Sequence, residues 1–338
     1  MNSKYNIGLV GYGYIGEHHC KAILKLKKFF NLKVIFEKNK NFAKLKKFSK
    51  KIEIKKNFDK NNIPPGLDII VITAPSHLHV KFANIAINHA KIVIIEKPLS
   101  LNLNEAVKLI KNIKRKRKKI VVVKQLRLNP VYRHLKKLFD NNAFGKLHFI
   151  SFDIFLNRSK EYFSSSNWKG KLKLDGGTLF NQISHFVDLL FWFFGDIDQA
   201  SGFKISKNKI YNEDSGQVSI FFKKKIFVSL NYSIKSFKKN FKNQINIISE
   251  KCNLEATNNK LNKISIDDKR LTNNINEINK KIDREIKHFG KGFEKFYTEV
   301  YQTMKNNKNT NLSINQNALK SFKNLYNVSK KMKVISNG

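Results

Sequence analysis

Lys97 has both the residue type and the position of a catalytic group. It lies in Glu96-Lys97-Pro98, directly after the apolar run Ile92–Ile95. Open α/β sheets bind their ligands at the carboxyl ends of such strands. A lysine there is either an ordinary surface charge or a catalytic residue whose ammonium assists proton movement at a reacting hydroxyl.

A second candidate, His185, lies in a helical pattern that opens with Gly176-Gly177. Asn181 precedes His185 by four residues, so an α-helix would place both side chains on one face. Gln182 and Asp188 flank that face. A lone histidine in an amphipathic helix is usually structural, but polar neighbours after a Gly-Gly entry favour a functional site.

A glycine-rich turn near the start of the chain predicts a dinucleotide site. The turn, Gly11-Tyr12-Gly13-Tyr14-Ile15-Gly16, follows an apolar strand and opens a helix. The first glycine permits a tight turn, the second lets the backbone approach a pyrophosphate, and the third packs helix against strand. The phosphates would lie at the helix N-terminus, where free N–H groups favour an anion. Glu37, 21 residues after Gly16, can accept hydrogen bonds from a ribose, so NAD is favoured over NADP.

Two histidine-containing stretches raise the question of a metal site. Glu17-His18-His19-Cys20 falls in the first turn of the cofactor helix, where adjacent side chains point in different directions. Packing and capping beside the cofactor therefore explain it better than metal binding. His77 and His79 lie in a loop that we expect near the nicotinamide end of the cofactor. We predict no metal, and the two cysteines, Cys20 and Cys252, are too few for a cysteine-based site.

The elements that position these residues alternate between strands and helices in the first third of the chain. Continuous apolar runs such as Leu67–Ile72 and Ile120–Val123 are typical of strands that are covered on both faces. Helical patterns lie between them, for example at Leu103–Ile113. This alternation predicts an α/β fold with a doubly wound parallel Rossmann sheet, which we assign to residues 1–125.

The pattern changes near Asn129-Pro130, and we assign residues 126–338 to an α+β domain for substrate binding and oligomerisation. Alternating runs such as Leu147–Leu156 predict strands, and the runs on either side of Lys223-Lys224-Lys225 predict a hairpin. These strands would form a mostly antiparallel open sheet.

The last quarter of the chain is predicted to be irregular at first and then helical. The Asn-rich stretch Asn258–Lys281 is weakly periodic, which predicts a mobile loop or irregular strands. Helices are predicted at Phe293–Lys305 and Asn317–Lys331.

The composition excludes several classes of protein. The 338 residues allow two domains, and 41% hydrophobic with 27% charged residues is the balance of a folded globular chain. No apolar run is long enough to span a bilayer, and a strand begins where a signal peptide would lie, so we predict a cytoplasmic protein with no membrane partner. The formal net charge is +41. Because the basic residues are mostly lysines spread along the chain, we attribute this charge to compositional drift and solvated faces rather than to polyanion binding, and we expect no nucleic-acid partner.

Several motifs together resemble the Gfo/Idh/MocA oxidoreductases, a family named after glucose–fructose oxidoreductase and inositol dehydrogenase. The motifs occur in the family's order and span nearly the whole chain. They are the Gly11/Gly13/Gly16 turn, Thr73-Ala74-Pro75-Ser76-His77-Leu78-His79, Glu96-Lys97-Pro98, and the Gly176-Gly177 helix with His185 and Asp188. Many members carry an aspartate four residues before the histidine, whereas this sequence has Asn181.

Further residues resemble the subgroup that oxidises UDP-N-acetylglucosaminuronate at C3. They are Gln125-Leu126-Arg127-Leu128-Asn129-Pro130, Asn157-Arg158, Tyr162, Ser166-Asn167-Trp168-Lys169-Gly170, Asn181, Gly292-Phe293-Glu294, Tyr297 and Val300-Tyr301. The resemblance implies an NAD-dependent nucleotide-sugar 3-dehydrogenase of bacterial surface-polysaccharide synthesis (O-antigen, lipopolysaccharide). Its product would feed an aminotransferase that places nitrogen on C3.

The resemblance also implies roles for the candidate catalytic residues. His185 would be the general base that takes the proton from the sugar 3-hydroxyl, while a hydride passes from C3 to NAD. Lys97 would hold the same hydroxyl and stabilise developing alkoxide charge. Asn181 would orient the sugar or His185 without adding a second base. A diphosphate and a carboxylate on the substrate would need cationic partners, and arginine offers a bidentate fork.

The motifs and the resemblance together define two sets of binding residues. The cofactor set is Gly11, Tyr12, Gly13, Tyr14, Ile15, Gly16, Glu37, Thr73, Ala74, Pro75, His79, Glu96, Lys97 and Gln125. The substrate set is Lys97, Arg127, Asn129, Arg158, Tyr162, Trp168, Lys169, Asn181, Gln182 and His185. The resemblance further implies a homo-oligomer, a dimer or tetramer joined through the second-domain sheet, and 2-oxoglutarate as a candidate acceptor that reoxidises bound NADH in place.

Two alternatives stay open on the sequence. The chain is either another sugar or inositol dehydrogenase of the same family, or a non-catalytic sensor that binds NAD and a partner protein. The presence of both Lys97 and His185 argues against the sensor.

Overall fold

The protein is described by a computed structural model that covers residues 4–38, 45, 48, 51–206, 213–257, 263–267, 275–289, 292–306 and 311–336. The chain forms two compact units. The first comprises Met1–Gln125 and Lys291–Phe322, and the second comprises Leu126–Gly290 and Lys323–Gly338.

The strands and helices follow in chain order. The strands are β1 (Tyr5–Val10), β2 (Phe30–Phe36), β3 (Glu53–Lys55), β4 (Ile69–Ile72), β5 (Ile92–Ile95), β6 (Lys119–Val122), β7 (Leu147–Phe155), β8 (Ile197–Ser206), β9 (Ser215–Phe222), β10 (Ile226–Ser233), β11 (Lys242–Ser249), β12 (Leu254–Thr257), β13 (Lys263–Ile266), β14 (Ser313–Ile314) and β15 (Met332–Ser336). The α-helices are Tyr14–Lys25, His79–Ala86, Leu103–Arg115, Pro130–Asp140, Lys160–Ser164, Leu172–Asp175, Ser184–Phe194, Ile275–Phe289, Phe293–Asn306 and Asn315–Lys331.

The first unit contains a sheet with the strand order β14-β6-β5-β4-β1-β2-β3. Every neighbouring pair is parallel except β14 with β6. The four residues of β4 and of β5 are all buried, as their uninterrupted apolar sequences predict. The chain order reverses beside β1, which places a ligand site at the carboxyl ends of β1 and β4. The doubly wound Rossmann sheet predicted from the sequence is confirmed.

Part of the C-terminal region belongs to the first unit, although the sequence analysis assigned all residues after Gln125 to the second domain. Strand β14 pairs with β6 at Ser313 and Ile314. Helix Phe293–Asn306 packs against helix Tyr14–Lys25, and the Tyr301 and Phe29 rings stack with centroids 4.1 Å apart. We call Lys291–Phe322 the return segment. Its aromatic side chains complete the core around β1 and β2.

The second unit contains a sheet with the order β13-β12-β11-β7-β10-β9-β8-β15. Its neighbours are antiparallel except β7 with β10 and β8 with β15. The predicted hairpin is present as β9 and β10, which pair from Phe222 and Ile226 at the turn to Ser215 and Ser233 at the open end. The mostly antiparallel sheet predicted from the sequence is confirmed, whereas β8, β11, β12 and β15 were not anticipated.

The prediction for Asn258–Lys281 was wrong in its last residues, because helix Ile275–Phe289 begins there. Residues 258–262 and 268–274 of that stretch lie outside the described residues. Ile275, Ile278 and Ile282 form an apolar stripe at helical spacing, and Ile282 is buried. Asparagine has a low intrinsic helix propensity, so its abundance masked this stripe.

A buried ion pair lies inside the second unit. The Arg127 guanidinium donates to both carboxylate oxygens of Asp188, from Nε at 2.8 Å and from Nη2 at 2.7 Å. The two side chains are 3% and 2% exposed. Such a fork-to-fork pair fixes the geometry of both partners, and it joins the start of this unit to helix Ser184–Phe194, which carries His185.

Within the described part of the chain, no helix combines the length and the apolarity that crossing a bilayer requires. The same residues contain no group of three or more His, Cys, Asp or Glu side chains arranged to hold a metal ion.

Asp188→Ala should destabilise the protein by about 3–5 kcal/mol, because it leaves the Arg127 guanidinium buried without its counter-charge. Urea unfolding followed by circular dichroism measures this loss. Asp140→Ala is the matched control, since Asp140 pairs with Lys136 at the surface and its loss should cost less than about 1 kcal/mol. Equal losses for the two variants would contradict the structural role of the buried pair.

Candidate functional site

Thr73, the residue after β4, holds the glycine turn between β1 and the first helix. Its hydroxyl donates to the carbonyl oxygens of Val10 at 3.0 Å and Gly11 at 2.8 Å. Gly11 has a φ of +93°, and a Cβ atom on Gly16 would lie 2.2 Å from the Gly11 oxygen. Neither glycine position tolerates a side chain. Thr73, which the sequence analysis placed in the cofactor set, therefore shapes the turn.

Gly13 occupies the exposed part of the turn. A Cβ atom there would meet no protein atom within 4 Å. Gly13 is the N-cap of helix Tyr14–Lys25 and has a φ of −73°, which any residue can adopt. The protein's own geometry thus does not require glycine at this position. A pyrophosphate that approaches the backbone at the helix N-terminus does require glycine at position 13. The residues present therefore fit a dinucleotide.

Glu37 lies beside the same turn. Its Oε2 atom accepts the Tyr12 backbone N–H at 2.5 Å, and the Glu37 side chain is buried. The carboxylate is therefore held where the ribose next to the pyrophosphate would bind, as the sequence predicts. A 2′-phosphate at that place would meet its negative charge.

Gln125 ends the segment that follows β6. Its side-chain Oε1 atom is buried and has no hydrogen-bond partner among the described residues. A buried acceptor left unpaired costs free energy, so a donor from a bound molecule would stabilise it. This observation agrees with the placement of Gln125 in the cofactor set. Tyr14 and Ile15 in the glycine turn, and Ala74 and Pro75 after β4, are exposed or half-buried and so are accessible to a ligand.

His79 has a positioning role. The Nδ1 and Nε2 atoms of its ring lie 2.7 Å and 2.9 Å from the carbonyl oxygens of Pro98 and Ala74. Burial lowers the pKa of His79 despite these two acceptors. The ring thus ties the loop after β4 to the loop after β5. These contacts support loop positioning rather than the predicted contact between His79 and the cofactor.

Lys97 is half-buried and lies immediately after β5 and Glu96. The Lys97 backbone N–H donates to Glu96 Oε2 at 3.1 Å, and Glu96 Oε1 lies 3.0 Å from Nε2 of His19. Burial acts to raise the pKa of Glu96, but the hydrogen bond with His19, together with the Lys97 charge, lowers it overall. An ionised carboxylate next to Lys97 favours the ammonium form of that side chain.

His185 lies in the second unit, at the second residue of helix Ser184–Phe194. Asn181 belongs to a π-helical turn, Leu179–Ile183, that leads into this helix. Turns of this kind are frequent at functional sites.

Two buried carboxylates hold this turn, and the sequence analysis did not single out either. Asp175 accepts the backbone N–H groups of Gly170 at 2.5 Å and Gly177 at 3.0 Å, and the Asn181 amide lies 3.4 Å from its Oδ2 atom. Glu213 accepts the Leu179 N–H at 2.8 Å, and burial raises its pKa. Glu213 has no local sequence signal, because its partner Leu179 is 34 residues away. Asp175 has one, since an aspartate two residues before a glycine can accept that glycine's N–H in a turn.

Arg158, Tyr162 and Gln182, all in the predicted substrate set, form one hydrogen-bonded cluster. Arg158 Nε donates to Gln182 Oε1 at 2.9 Å, and Gln182 Nε2 donates to Tyr162 Oη at 2.8 Å. The guanidinium lies over the Tyr162 ring, 5.4 Å from its centroid. Gln182 also donates to Asn181 Oδ1 at 3.3 Å, which connects the cluster to the π-helical turn.

Lys169 adds a second cation to this cluster. Its Nζ atom lies 4.4 Å from the centroid of the Tyr162 ring, and Trp168 beside it is half-buried. Burial lowers the pKa of both Arg158 and Lys169, and repulsion from Arg158 lowers that of Lys169 further. No carboxylate among the described residues lies within 4 Å of either charge. Two partly desolvated cations without an acidic partner attract an anionic ligand.

A cavity of about 440 Å³ adjoins this cluster. Asn240 connects the two, since its Oδ1 atom accepts the Asn157 N–H at 2.9 Å and lies 3.4 Å from Nη1 of Arg158. The cavity is lined by Phe155, Ser233, Lys235, Ser236, Phe237, Lys239 and Phe241. Aromatic and cationic side chains thus continue beyond Arg158.

Arg127 and Asn129 have partners outside this cluster, and their role in substrate binding stays a prediction. Nε and Nη2 of the Arg127 guanidinium both donate to the Asp188 carboxylate. Asn129 caps helix Pro130–Asp140, with its side-chain oxygen accepting the Val131 N–H at 2.9 Å. The sequence around each residue fits a structural role and a ligand-binding role equally well.

Two family models match the chain. The model described as "Oxidoreductase family, NAD-binding Rossmann fold" matches residues 5–125, and the "GFO/IDH/MocA C-terminal domain" matches residues 132–255. The chain belongs to the Gfo/Idh/MocA family. It is therefore an NAD-dependent oxidoreductase, and NAD is its cofactor, as the glycine turn and Glu37 predict.

Sequence relatives agree with this family but are distant. Oxidoreductase P35 of Formosa agariphila is 26% identical over 226 residues, which are 64% of this chain and 70% of that protein. Levoglucosan dehydrogenase of Pseudarthrobacter phenanthrenivorans is 26% identical over 205 residues, 58% of this chain and 53% of that protein.

Solved structures show the same fold over nearly the whole chain. The WlbA dehydrogenase of Chromobacterium violaceum, in complex with NADH and UDP-GlcNAcA, superposes with a TM-score of 0.87 at 24% identity, covering 98% of this chain and 94% of that one. The Bordetella pertussis WlbA dehydrogenase, in complex with the same two ligands, gives a TM-score of 0.87 at 23% identity, with coverages of 98% and 96%.

Gly13→Ala should weaken NADH binding by at least about tenfold and shift the thermal midpoint by less than about 2 °C, because the added methyl group fills only the space that the pyrophosphate needs. Fluorescence titration and thermal unfolding measure the two effects. Gly16→Ala is the comparison variant, and it should also lower the thermal midpoint because its methyl group collides with the Gly11 oxygen. Unchanged NADH affinity in Gly13→Ala would contradict the assigned pyrophosphate position.

Proposed function

We propose that this chain oxidises the 3-hydroxyl of UDP-N-acetylglucosaminuronate to a ketone, in the synthesis of a bacterial surface polysaccharide. The observation that carries this proposal is the pair of cations Arg158 and Lys169, held around Tyr162 with no acidic partner in the part of the chain that the structure describes. A free sugar or inositol has no charge to match them. A nucleotide sugar acid carries a diphosphate and a carboxylate, and arginine binds either with two hydrogen bonds.

The cofactor, when bound, supplies the hydride acceptor, and the chain supplies orientation and proton transfer. His185 would accept the proton of the 3-hydroxyl. Lys97, held as an ammonium by Glu96, would donate a hydrogen bond to that oxygen and stabilise the negative charge that develops on it. Asn181 would orient the sugar as a neutral group, which leaves His185 as the base.

The two WlbA dehydrogenases support the substrate class, since both were solved with UDP-GlcNAcA. Action in the cytoplasm, assembly into a dimer or tetramer through the second-unit sheet, and reoxidation of NADH by 2-oxoglutarate are parts of the same proposal. The competing function is that of a sugar or inositol dehydrogenase of the same family. A substrate that binds without contacting Arg158 would favour this function.

The purified protein should form NADH from NAD when UDP-N-acetylglucosaminuronate is added, and none when N-acetylglucosamine, glucuronate or inositol is added at the same concentration. The absorbance of NADH measures this, with 2-oxoglutarate present in a parallel reaction to allow turnover of tightly bound cofactor. Lys97→Ala and His185→Ala should each lose activity by at least about a hundredfold and still bind NADH. Activity on inositol alone would contradict the proposal.

Arg158→Leu should raise the KM for the nucleotide sugar by about 10–100-fold and leave the Kd for NADH unchanged, because it removes a charge-assisted hydrogen-bond donor worth about 1.5–3 kcal/mol. Steady-state kinetics and NADH titration separate the two constants. Arg158→Lys should give an intermediate KM, since it keeps the charge without the fork. Lys160→Ala, at an exposed neighbouring lysine, is the control; an equal change there would refute the role of Arg158.

A further inference from the structure

Glu96 is the point at which three remote segments of the first unit meet. Its Oε1 atom lies 3.0 Å from His19 Nε2, and the other ring nitrogen of His19, Nδ1, lies 2.7 Å from Tyr297 Oη. Its Oε2 atom accepts the Lys97 backbone N–H at 3.1 Å. A continuous chain of contacts thus runs from Tyr297 through His19 and Glu96 to Lys97. We call it the Tyr297–Lys97 chain.

The protons in this chain can be assigned from its surroundings. Burial, followed by the charge of Glu96, raises the pKa of Tyr297 well above its usual value, so the phenol keeps its proton and donates it to His19 Nδ1. Because Nδ1 of His19 accepts this hydrogen bond, Nε2 carries the ring proton and donates to Glu96. Glu96 is ionised, because His19 and Lys97 outweigh the effect of burial on its pKa. Every donor therefore points toward the carboxylate next to Lys97.

The Tyr297–Lys97 chain of contacts is shielded from water. His19 and Tyr297 are fully buried and Glu96 is 6% exposed. In such surroundings a carboxylate acts more strongly on a neighbouring charge than it would in water. The titratable side chains that face Glu96 are His19, His79, Lys97 and Tyr297.

We propose that His19, Glu96 and Tyr297 are positioning residues for Lys97: they fix the start of its side chain and keep its ammonium charged. The return segment then contributes to the reaction through Tyr297, although it lies about 200 residues after Lys97 in the sequence. This inference rests on the proposed function, in which the Lys97 ammonium holds the reacting hydroxyl. A purely structural role is the alternative, in which the chain only joins helix Phe293–Asn306 to the sheet.

The test uses four variants of the whole protein. Glu96→Gln keeps the shape of the side chain and removes its charge, His19→Leu removes the donor to Glu96, and Tyr297→Phe removes one hydroxyl and keeps the ring packed. Tyr301→Phe is the matched control, since Tyr301 lies one helical turn further along the same helix and packs against Phe29. Each variant is measured for kcat, for KM, for the Kd of NADH and for thermal midpoint.

Lys97 itself is measured without substrate. Reductive methylation modifies only uncharged amines, and peptide mass spectrometry reports its rate at Lys97. At fixed neutral pH, Glu96→Gln should speed the labelling of Lys97 by at least about tenfold, because it removes the negative charge beside the amine. His19→Leu should speed it by a smaller factor, because losing that hydrogen bond raises the pKa of Glu96 and leaves part of the carboxyl neutral. Lys91, which pairs with Asp68 at the surface, should label at an unchanged rate and serves as the internal control.

The expected result is a loss confined to the chemical step. Glu96→Gln and His19→Leu should lower kcat by at least about tenfold, and Tyr297→Phe by a smaller factor, with KM and the Kd for NADH changed by less than about threefold. Tyr301→Phe should match the wild type. Normal kcat and normal Lys97 labelling, with only the thermal midpoint lowered, would overturn the inference in favour of the structural role. If the wild type fails to oxidise the nucleotide sugar, the proposed function fails, and the labelling experiment still decides the inference.

Discussion

A carboxylate buried away from water must be satisfied by hydrogen bonds, and both units of this protein are organised around that requirement. In the first unit Glu96 meets it by joining His19 and the Lys97 backbone. In the second unit Asp175 meets it by joining the Gly170 segment to the turn that precedes His185. Because an unpaired buried charge costs several kcal/mol, these contacts fix the backbone beside each candidate catalytic residue.

The candidate site follows from this arrangement. Glycine provides space for a dinucleotide at Gly13, and Glu37 lies where a ribose would bind. The backbone N–H of Lys97 donates to Glu96, which fixes the point where the Lys97 side chain begins. In the second unit, neutral partners orient Arg158 and leave its charge uncompensated. The features of the first unit suit an NAD-dependent oxidoreductase, and those of the second unit suit an anionic ligand.

The sequence predicts those parts of the structure whose cause is local. The glycine turn is visible because Gly11, Gly13 and Gly16 act within six residues, and buried strands such as β5 are visible because their residues are apolar on both faces. The hairpin of β9 and β10 is visible from its turn. Arg158 and Tyr162 were found through family resemblance and Gln182 through the helical pattern around His185, and the structure brings the three together.

The remaining features depend on partners that are far apart in the sequence. Tyr297 and His19 are 278 residues apart, so no local pattern shows that they touch. Arg127 was assigned to the substrate because arginine serves buried pairs and anionic ligands equally well, and only the fold reveals Asp188 as its partner.

The most direct measurement of the central claim follows a single atom. UDP-N-acetylglucosaminuronate carrying deuterium at C3 is incubated with stoichiometric enzyme and NAD, and the products are analysed by mass spectrometry and NMR. The account predicts that the deuterium leaves the sugar, appears in the reduced nicotinamide and leaves a ketone at C3. Deuterium that stays on the sugar while NADH forms would place the oxidation at another carbon, and no transfer at all would contradict a redox role on this substrate.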